Sequence, residues 1–311
     1  MRRIALLIIP TLLAGLLAAC SSGDDGSGLP EVTGKYGAKP KVAVDKGSEP
    51  TGKLESTVLT EGDGRKVAEG DLLVADYLGE IYRSGKVFDN SYDRGEPAAF
   101  ALKSGPGGVI SGWVKALTGV PVGSRVLLVA PPKEGYGKTG NPQAGIKGTD
   151  SLVFVVDVIA AYSGKTLPKS TPVTDLPADL PNVEGTTDPK VTVPEGTTPP
   201  KEPETTVLAT GTGPEVVKGK LGIVQYTAVD WTGGALSSTW QEGPQGGGVP
   251  GPQGVPVGGE QPSPFDLLVG IPVGSRVLLE LPAQTGSDAA KESVAVVIDI
   301  LGQHGPAKET A

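Results

Sequence analysis

Apolar positions along this chain alternate with period two in some stretches and follow a helical rhythm in one. In LLVADYLGEIY (72–82) the alternate residues Leu73, Ala75, Tyr77 and Ile81 share one face, which predicts a strand. SLVFVVDVIA (151–160) repeats the pattern with Leu152, Phe154, Val156 and Val158. Between them, VISGWVKALTGVPVGSRV (109–126) places Trp113, Ala116, Leu117 and Val120 at i, i+3, i+4 and i+7, the spacing of a short helix with one apolar stripe. A Gly/Pro-rich loop, PPKEGYGKTGNPQAGIKG, fills 131–148. Strands packed on one short helix make an α+β domain.

The same phrases return later in the chain. TVLTEGDG (57–64) is echoed by TVLATGTG (206–213), Tyr77 by Tyr226, and VPVGSRVLL (120–128) by IPVGSRVLL (271–279). LPEVTGKYGAKPKVAVDKG (29–47) is echoed by LPNVEGTTDPKVTVPEG (180–196). The pattern reads as a tandem duplication with a period of about 150 residues, too few units for a stacked array and so two complete domains. The expected segments are an arm at 29–56, a domain at 57–162, a Pro/Thr-rich linker at 163–179, a second arm at 180–205, a second domain at 206–303 and a polar tail at 304–311. The arm's strand is expected to pair with the domain edge, and the linker, crowded with Pro, Thr and acid, to stay extended without a core. QEGPQGGGVPGPQGVPVGGEQPSP (241–264) is low-complexity and expected to be mobile.

The two copies differ in chemistry. Phe88-Asp89 of the first becomes Leu236-Ser237 of the second, the Trp113 position falls at Pro264, and the Phe154 position at Val296. Arg125 and Asp157 stand 32 positions apart, whereas Arg276 and Asp299 stand 23 apart, so the loop that carries Tyr136 has no counterpart. The second copy keeps the strand patterns LGIVQYTAVDW (221–231) and ESVAVVIDIL (292–301) and loses the residues that distinguish the first.

MRRIALLIIPTLLAGLLAAC opens the chain with a charged start, an apolar run and small residues, the form of a secretory signal peptide over 1–19. Leu17-Ala18-Ala19-Cys20 resembles the lipobox of bacterial lipoproteins, which implies a lipid on Cys20, membrane attachment outside the cytoplasm and a flexible tether over 20–28. Cys20 is the one cysteine, so no intramolecular disulfide can form. The net charge is −8, and removal of Arg2 and Arg3 makes the mature chain more acidic. Such a balance argues against a nucleic-acid partner. The single histidine, His304, falls in the polar tail, which leaves no Ser-His-Asp arrangement and no His-based metal site. Carboxylates such as Asp63, Asp76 and Asp93 are scattered, and GKTG (137–140) lacks the spacing of a phosphate loop.

DYLG (76–79), KVFDNSYDRGEP (86–97), GGVISGW (107–113), VGSRVLL (122–128), GYGKTG (135–140) and SLVFVVDV (151–158) follow one another in an order and spacing that resemble the FKBP-type peptidyl-prolyl isomerases. The resemblance implies an α+β fold of two FKBP-like domains, each an antiparallel β-sheet wrapped around a short α-helix, the second degenerate. It implies that Trp113 is the floor of a proline pocket, with Tyr77, Phe88, Val109, Ile110, Ile146 and Phe154 as walls. Tyr136 would donate its hydroxyl to the substrate carbonyl, and Asp89 would be a polar handle held by Tyr77 or Arg94. The family uses no cofactor and no metal. Its partners are proline-containing polypeptides, here exported proteins during folding, and its macrolide inhibitors are further candidate ligands.

Each of these residues also has a plainer reading. Trp113, Tyr77 and Phe154 would be core in any protein of this class, and Asp89 beside Asn90 and Ser91 is a turn former. Tyr136 is different, because an aromatic in a Gly-rich loop has no core to serve. Two departures from the family stand out. Ala98 occupies a position often held by an aromatic, which predicts a pocket wider on that side, and Asn141 replaces a histidine common in the loop. A surface lipoprotein without turnover, docking a proline-containing loop or acting like a chaperone, is the competing reading.

Overall fold

The computed structural model describes residues 28–241, 250–283 and 288–305. The expected signal peptide, lipidated Cys20 and nearly all of the tether lie outside the described residues, as does the tail from 306 onward. Among the described residues no helix is long and apolar enough to cross a membrane.

The first half runs β1 (Glu31–Thr33), β2 (Lys41–Ala43), β3 (Glu55–Thr60), β4 (Leu72–Ile81), β5 (Lys86–Asn90), β6 (Ala98–Ala101), α1 (Ser111–Leu117), β7 (Arg125–Ala130) and β8 (Leu152–Tyr162). Its antiparallel sheet has the order β3-β7-β8-β4-β5, and β6 shares one edge of β4 with β5. All ten residues of β4 are buried, although its alternation predicts one covered face. The reason is that both faces have a cover. Leu73, Ala75, Tyr77, Ile81, Leu152, Phe154, Val156 and Val158 join the core beneath α1, as the alternation requires.

The opposite face carries Tyr82, Leu127, Val129, Val153 and Val155, and the arm packs Leu29, Val32, Val42 and Val44 onto it. The arm therefore does not extend the sheet edge as expected. β1 and β2 pair with each other, which satisfies their own backbone groups and frees their side chains to cover an apolar face. The helix is also placed slightly differently from its predicted stripe. Trp113, Val114 and Leu117 are buried, Ala116 is only half-buried, and Val120 lies beyond the helix end at Leu117.

A buried ion pair fastens arm to sheet. Arg125 on β7 donates to both oxygens of Asp157 on β8, at 2.6 and 2.7 Å, and to the arm carbonyls of Gly34 and Ala38, each at 2.6 Å. Asp157 accepts in addition from Gly37 N–H at 2.8 Å and Tyr92 Oη–H at 2.9 Å. Every strong group of this cluster has a partner, the condition under which a buried charge is tolerated.

The second half contains β9 (Ser170–Pro172), β10 (Asn182–Glu184), β11 (Lys190–Thr192), β12 (Glu204–Gly211), β13 (Lys220–Asp230), β14 (Ala235–Ser238), β15 (Gln253–Val257), β16 (Arg276–Leu281), α2 (Ala289–Glu292) and β17 (Val294–His304). Its sheet order, β14-β13-β17-β16-β12-β9 with β15 on β13, repeats that of the first sheet with one strand added. Register shifts recur at matching places, Val58/Thr60 with Val207/Ala209 and Val74/Ala75 with Ile223/Val224. Arg276 likewise grips Asp299 at 2.7 Å and the carbonyls of Gly185 and Thr186 at 2.7 Å.

Four expectations need correction here. The linker is not merely a spacer, since β9 pairs with β12 and closes that sheet edge. Part of the low-complexity segment is an ordered strand, β15, whose Pro256 sits where an edge strand accepts proline; residues 242–249 lie outside the described residues. Among the described residues no α-helix joins the second core in the place that α1 takes in the first. Pro264–Leu268 forms a 3-10 turn instead, opened by Pro264 and by a capping box between Ser263 and Asp266. Finally, His304 is not tail. It ends β17, half-buried, with its Nε2 2.7 Å from Tyr162 Oη, and burial holds its imidazole below the usual range, aided by Lys220.

Candidate active site

The site grows out of β4, β5, β6, α1, β8 and the loop after β7. Tyr77 on β4 and Phe154 on β8 point inward because strand alternation sends them there. Trp113 comes up from α1, 3% exposed, between them. Ring centroids lie 5.7 Å from Trp113 to Tyr77, 5.5 Å to Phe154 and 5.1 Å to Phe100, all edge-to-face. Phe88 on β5 meets Phe154 at 5.6 Å. Such pairs add about 0.5–1.5 kcal/mol each beyond their burial, so the basket is stiff. Phe88 approaches closely because Gly79 lies beneath it, where a Cβ would stand 2.6 Å from Phe88 Cζ.

The basket opens to solvent through a cavity of about 500 Å³. Tyr77, Phe88, Phe100, Trp113 and Phe154 give its aromatic lining, and Val109, Ile110 and Gly108 close one side. Asp89 and Tyr136 stand at the mouth. Asp89 is held by both of its expected partners. Tyr77 Oη–H donates to Asp89 Oδ2, Arg94 Nη1 donates to Asp89 Oδ1 at 2.6 Å, and Arg94 Nη2 donates to Tyr77 Oη at 3.0 Å. The Arg94 guanidinium also lies 5.6 Å from the Tyr77 ring centroid. Burial and then the Asp89 hydrogen bond push the Tyr77 hydroxyl up to about 12, so it remains a donor at neutral pH.

Tyr136 is 39% exposed, accessible to a ligand and yet part of the lining. Burial of its ring pushes the hydroxyl up, against a hydrogen bond with Asn141 that lowers it, and Asp89 pushes the same way as burial. Its loop is fixed to the helix beneath the basket. Glu134, two residues before Tyr136, accepts from Ser111 Oγ–H at 2.6 Å and from Lys115 Nζ at 2.8 Å, both on α1. Asn141 caps a turn of this loop by accepting from Ala144 N–H.

Eight of the ten expected pocket residues line the cavity: Tyr77, Phe88, Asp89, Val109, Ile110, Trp113, Tyr136 and Phe154. Ile146 does not; it is 3% exposed in the core and pairs its backbone with Asn141, which places it under the loop rather than on the wall. Arg94 stands behind Asp89 and does not line the cavity either. Phe100 was missed as a wall and lines the cavity. Ala98 packs against the core without reaching the cavity. A larger groove of about 660 Å³ lies between the linker and β12, lined by Leu176, Leu180 and Leu208, but no aromatic residue faces it. Among the described residues no cluster of His, Cys, Asp or Glu is suited to a metal.

Residues 63–159 match the sequence model of FKBP-type peptidyl-prolyl cis-trans isomerases. An FK506-binding protein of Streptomyces anulatus is 37% identical over 122 residues, 39% of this chain and 96% of that protein. A probable FK506-binding protein of Corynebacterium glutamicum is 33% identical over 125 residues, 40% of this chain and 98% of that protein. The FKBP-type isomerase FkpA of Escherichia coli K12 is 40% identical over 123 residues, 39% of this chain, and the chain spans only 43% of its length. With nearly whole relatives aligned over the segment that builds the aromatic cavity, this chain belongs to the family of FKBP-type peptidyl-prolyl cis-trans isomerases.

Proposed function

We propose that residues 57–162 catalyse cis/trans isomerisation of X-Pro bonds in polypeptides. The observation that carries this is the aromatic cavity floored by Trp113 and rimmed by the Tyr136 hydroxyl. The amide barrier of about 18–20 kcal/mol comes from resonance, which the twisted state has lost. A twisted amide has a less polar carbonyl than a planar one, so an apolar basket favours it relative to water. The Tyr136 hydroxyl supplies a hydrogen bond to the carbonyl before the proline, and the Asp89–Tyr77–Arg94 group orients the peptide at the rim. No proton moves. A 10⁴-fold acceleration requires about 5.5 kcal/mol of differential stabilisation, within reach of desolvation and one or two aimed hydrogen bonds.

The same reading takes the second half as a duplicate that has lost this chemistry. Its strand order and register shifts repeat the first sheet, while Leu236, Ser237, Pro264 and Val296 replace the pocket residues. The leader ending at Cys20 supports a lipid-anchored protein outside the cytoplasm that serves exported chains, whose folding prolyl isomerisation can limit. Cys20→Ser is expected to move the protein from the membrane fraction to the soluble fraction of the cells that export it; a variant still sedimenting with membranes would rule out the lipid.

Tyr136→Phe tests the mechanism. Loss of the hydrogen bond that anchors the substrate carbonyl while the amide turns is expected to lower kcat/KM about 10-fold, roughly 1.4 kcal/mol. An unchanged kcat/KM would remove Tyr136 from the mechanism, and saturable peptide binding without turnover in the unaltered chain would leave a docking protein.

A further inference from the structure

The second half packs directly behind one wall of the pocket. On β6, Ala98 and Phe100 face the first core, where Phe100 touches Tyr77 and Trp113. Ala99, pointing the other way, joins an apolar cluster with Leu72 and Val74 of β4 and with Leu221 and Ile223 of β13. β15 lies against the same residue. A Cβ built on Gly254 would stand 2.6 Å from Ala99 Cβ, closer than two carbons can approach, and Leu221 Cδ1 would be at 3.2 Å. Gly254 is not among the glycines with left-handed φ, so its backbone would accept alanine and the contact with Ala99 is what excludes one. The Tyr162–His304 hydrogen bond of 2.7 Å ties the closing strands of the two halves together.

β6 needs such support. It has four residues, pairs only with Leu72–Ala75 of β4, and leads into the turn whose Ser104, Gly105 and Gly108 form the pocket rim. Ala101 and Gly107 face Pro250–Gly254 across a narrow cleft of about 330 Å³. We infer that the second half braces the pocket, with Gly254 and Leu221 as positioning residues that hold β6 and thereby the Phe100 wall. This rests on the isomerase reading of the cavity. It gives the second copy a task that needs no pocket of its own: its strands are kept because β13 and β15 form the surface on which β6 is seated.

The test uses the full chain with Gly254→Ala, Ala99→Gly and the double variant, on a series of X-Pro peptides. Gly254→Ala pushes β6 inward and is expected to raise KM about 5-fold with kcat changed less than about 2-fold, because a moved wall alters ground-state and transition-state binding alike. Ala99→Gly opens space for the new methyl, so the double variant is expected to recover KM to within about 2-fold of the unaltered chain, a coupling that only direct contact produces. Peptide Kd, measured by fluorescence anisotropy in the same four proteins, reads the brace without turnover. Wild-type KM and Kd in Gly254→Ala would overturn the inference, as would a loss that Ala99→Gly does not rescue. An unaltered chain that binds the peptides but does not turn them over would instead overturn the isomerase reading, with the Kd pattern still deciding the brace.

Discussion

Arg125→Met is expected to destabilise the first half by about 3–5 kcal/mol, a large part of the roughly 5–15 kcal/mol that holds a domain folded. The side chains of Arg125 and Asp157 are 1% and 0% exposed, so the Asp157 carboxylate left behind has no water to replace the guanidinium. The arm carbonyls of Gly34 and Ala38 lose their donor at the same time, and the hairpin that covers Leu127, Val129, Val153 and Val155 loses its clasp. Arg276→Met provides the internal comparison. Its side chain is 14% exposed, so water can reach part of the site, and the cost is expected to be smaller by at least about 1 kcal/mol. Urea unfolding monitored by tyrosine and tryptophan signals measures both. Equal losses in the two variants would show that burial does not set the strength of these clasps.

Trp113→Ala is expected to carry the largest functional effect, a fall in kcat/KM of about 100-fold, or roughly 2.7 kcal/mol. Removing the indole leaves Tyr77, Phe100 and Phe154 without the ring they all pack against, and opens the floor of the cavity to water. A truncation of this size in a core also costs stability, about 3–5 kcal/mol. Trp113→Phe separates the two effects. It keeps an aromatic floor, and no protein hydrogen bond is lost, because Trp113 Nε1 has no partner among the described residues. The Phe variant is therefore expected to retain most of its activity, and a folded Ala variant with unchanged kcat/KM would contradict a role for the floor.

Much of the first half was legible because its physics is local. Period-two alternation in 72–82 and 151–160 placed Tyr77 and Phe154 in one core, and the short helix placed Trp113 opposite them. Phe100 was not legible in the same way. Its strand reads AAFA, apolar at every position, so alternation cannot say which residues face the pocket and which face the second half. β9 is a strand only because the edge of β12 supplies hydrogen bonds to Ser170–Pro172, a non-local cause that three residues of sequence do not record. β15 was hidden by composition, since Gly and Pro read as loop until an edge position accommodates them. The arm showed the right β-prone pieces and the wrong partner, because pairing with itself and pairing with the sheet edge demand the same pattern. His304 looked like tail for want of a visible partner, and Tyr162, 142 positions away, is that partner.

The most direct test of the isomerase reading is a protease-free prolyl cis/trans assay of the full chain on several unrelated X-Pro peptides, followed by NMR exchange. The cavity floored by Trp113 predicts accelerated interconversion for many of them, with no added metal or cofactor. Exchange at the uncatalysed rate of tens to hundreds of seconds in a folded protein that still binds the peptides would contradict it.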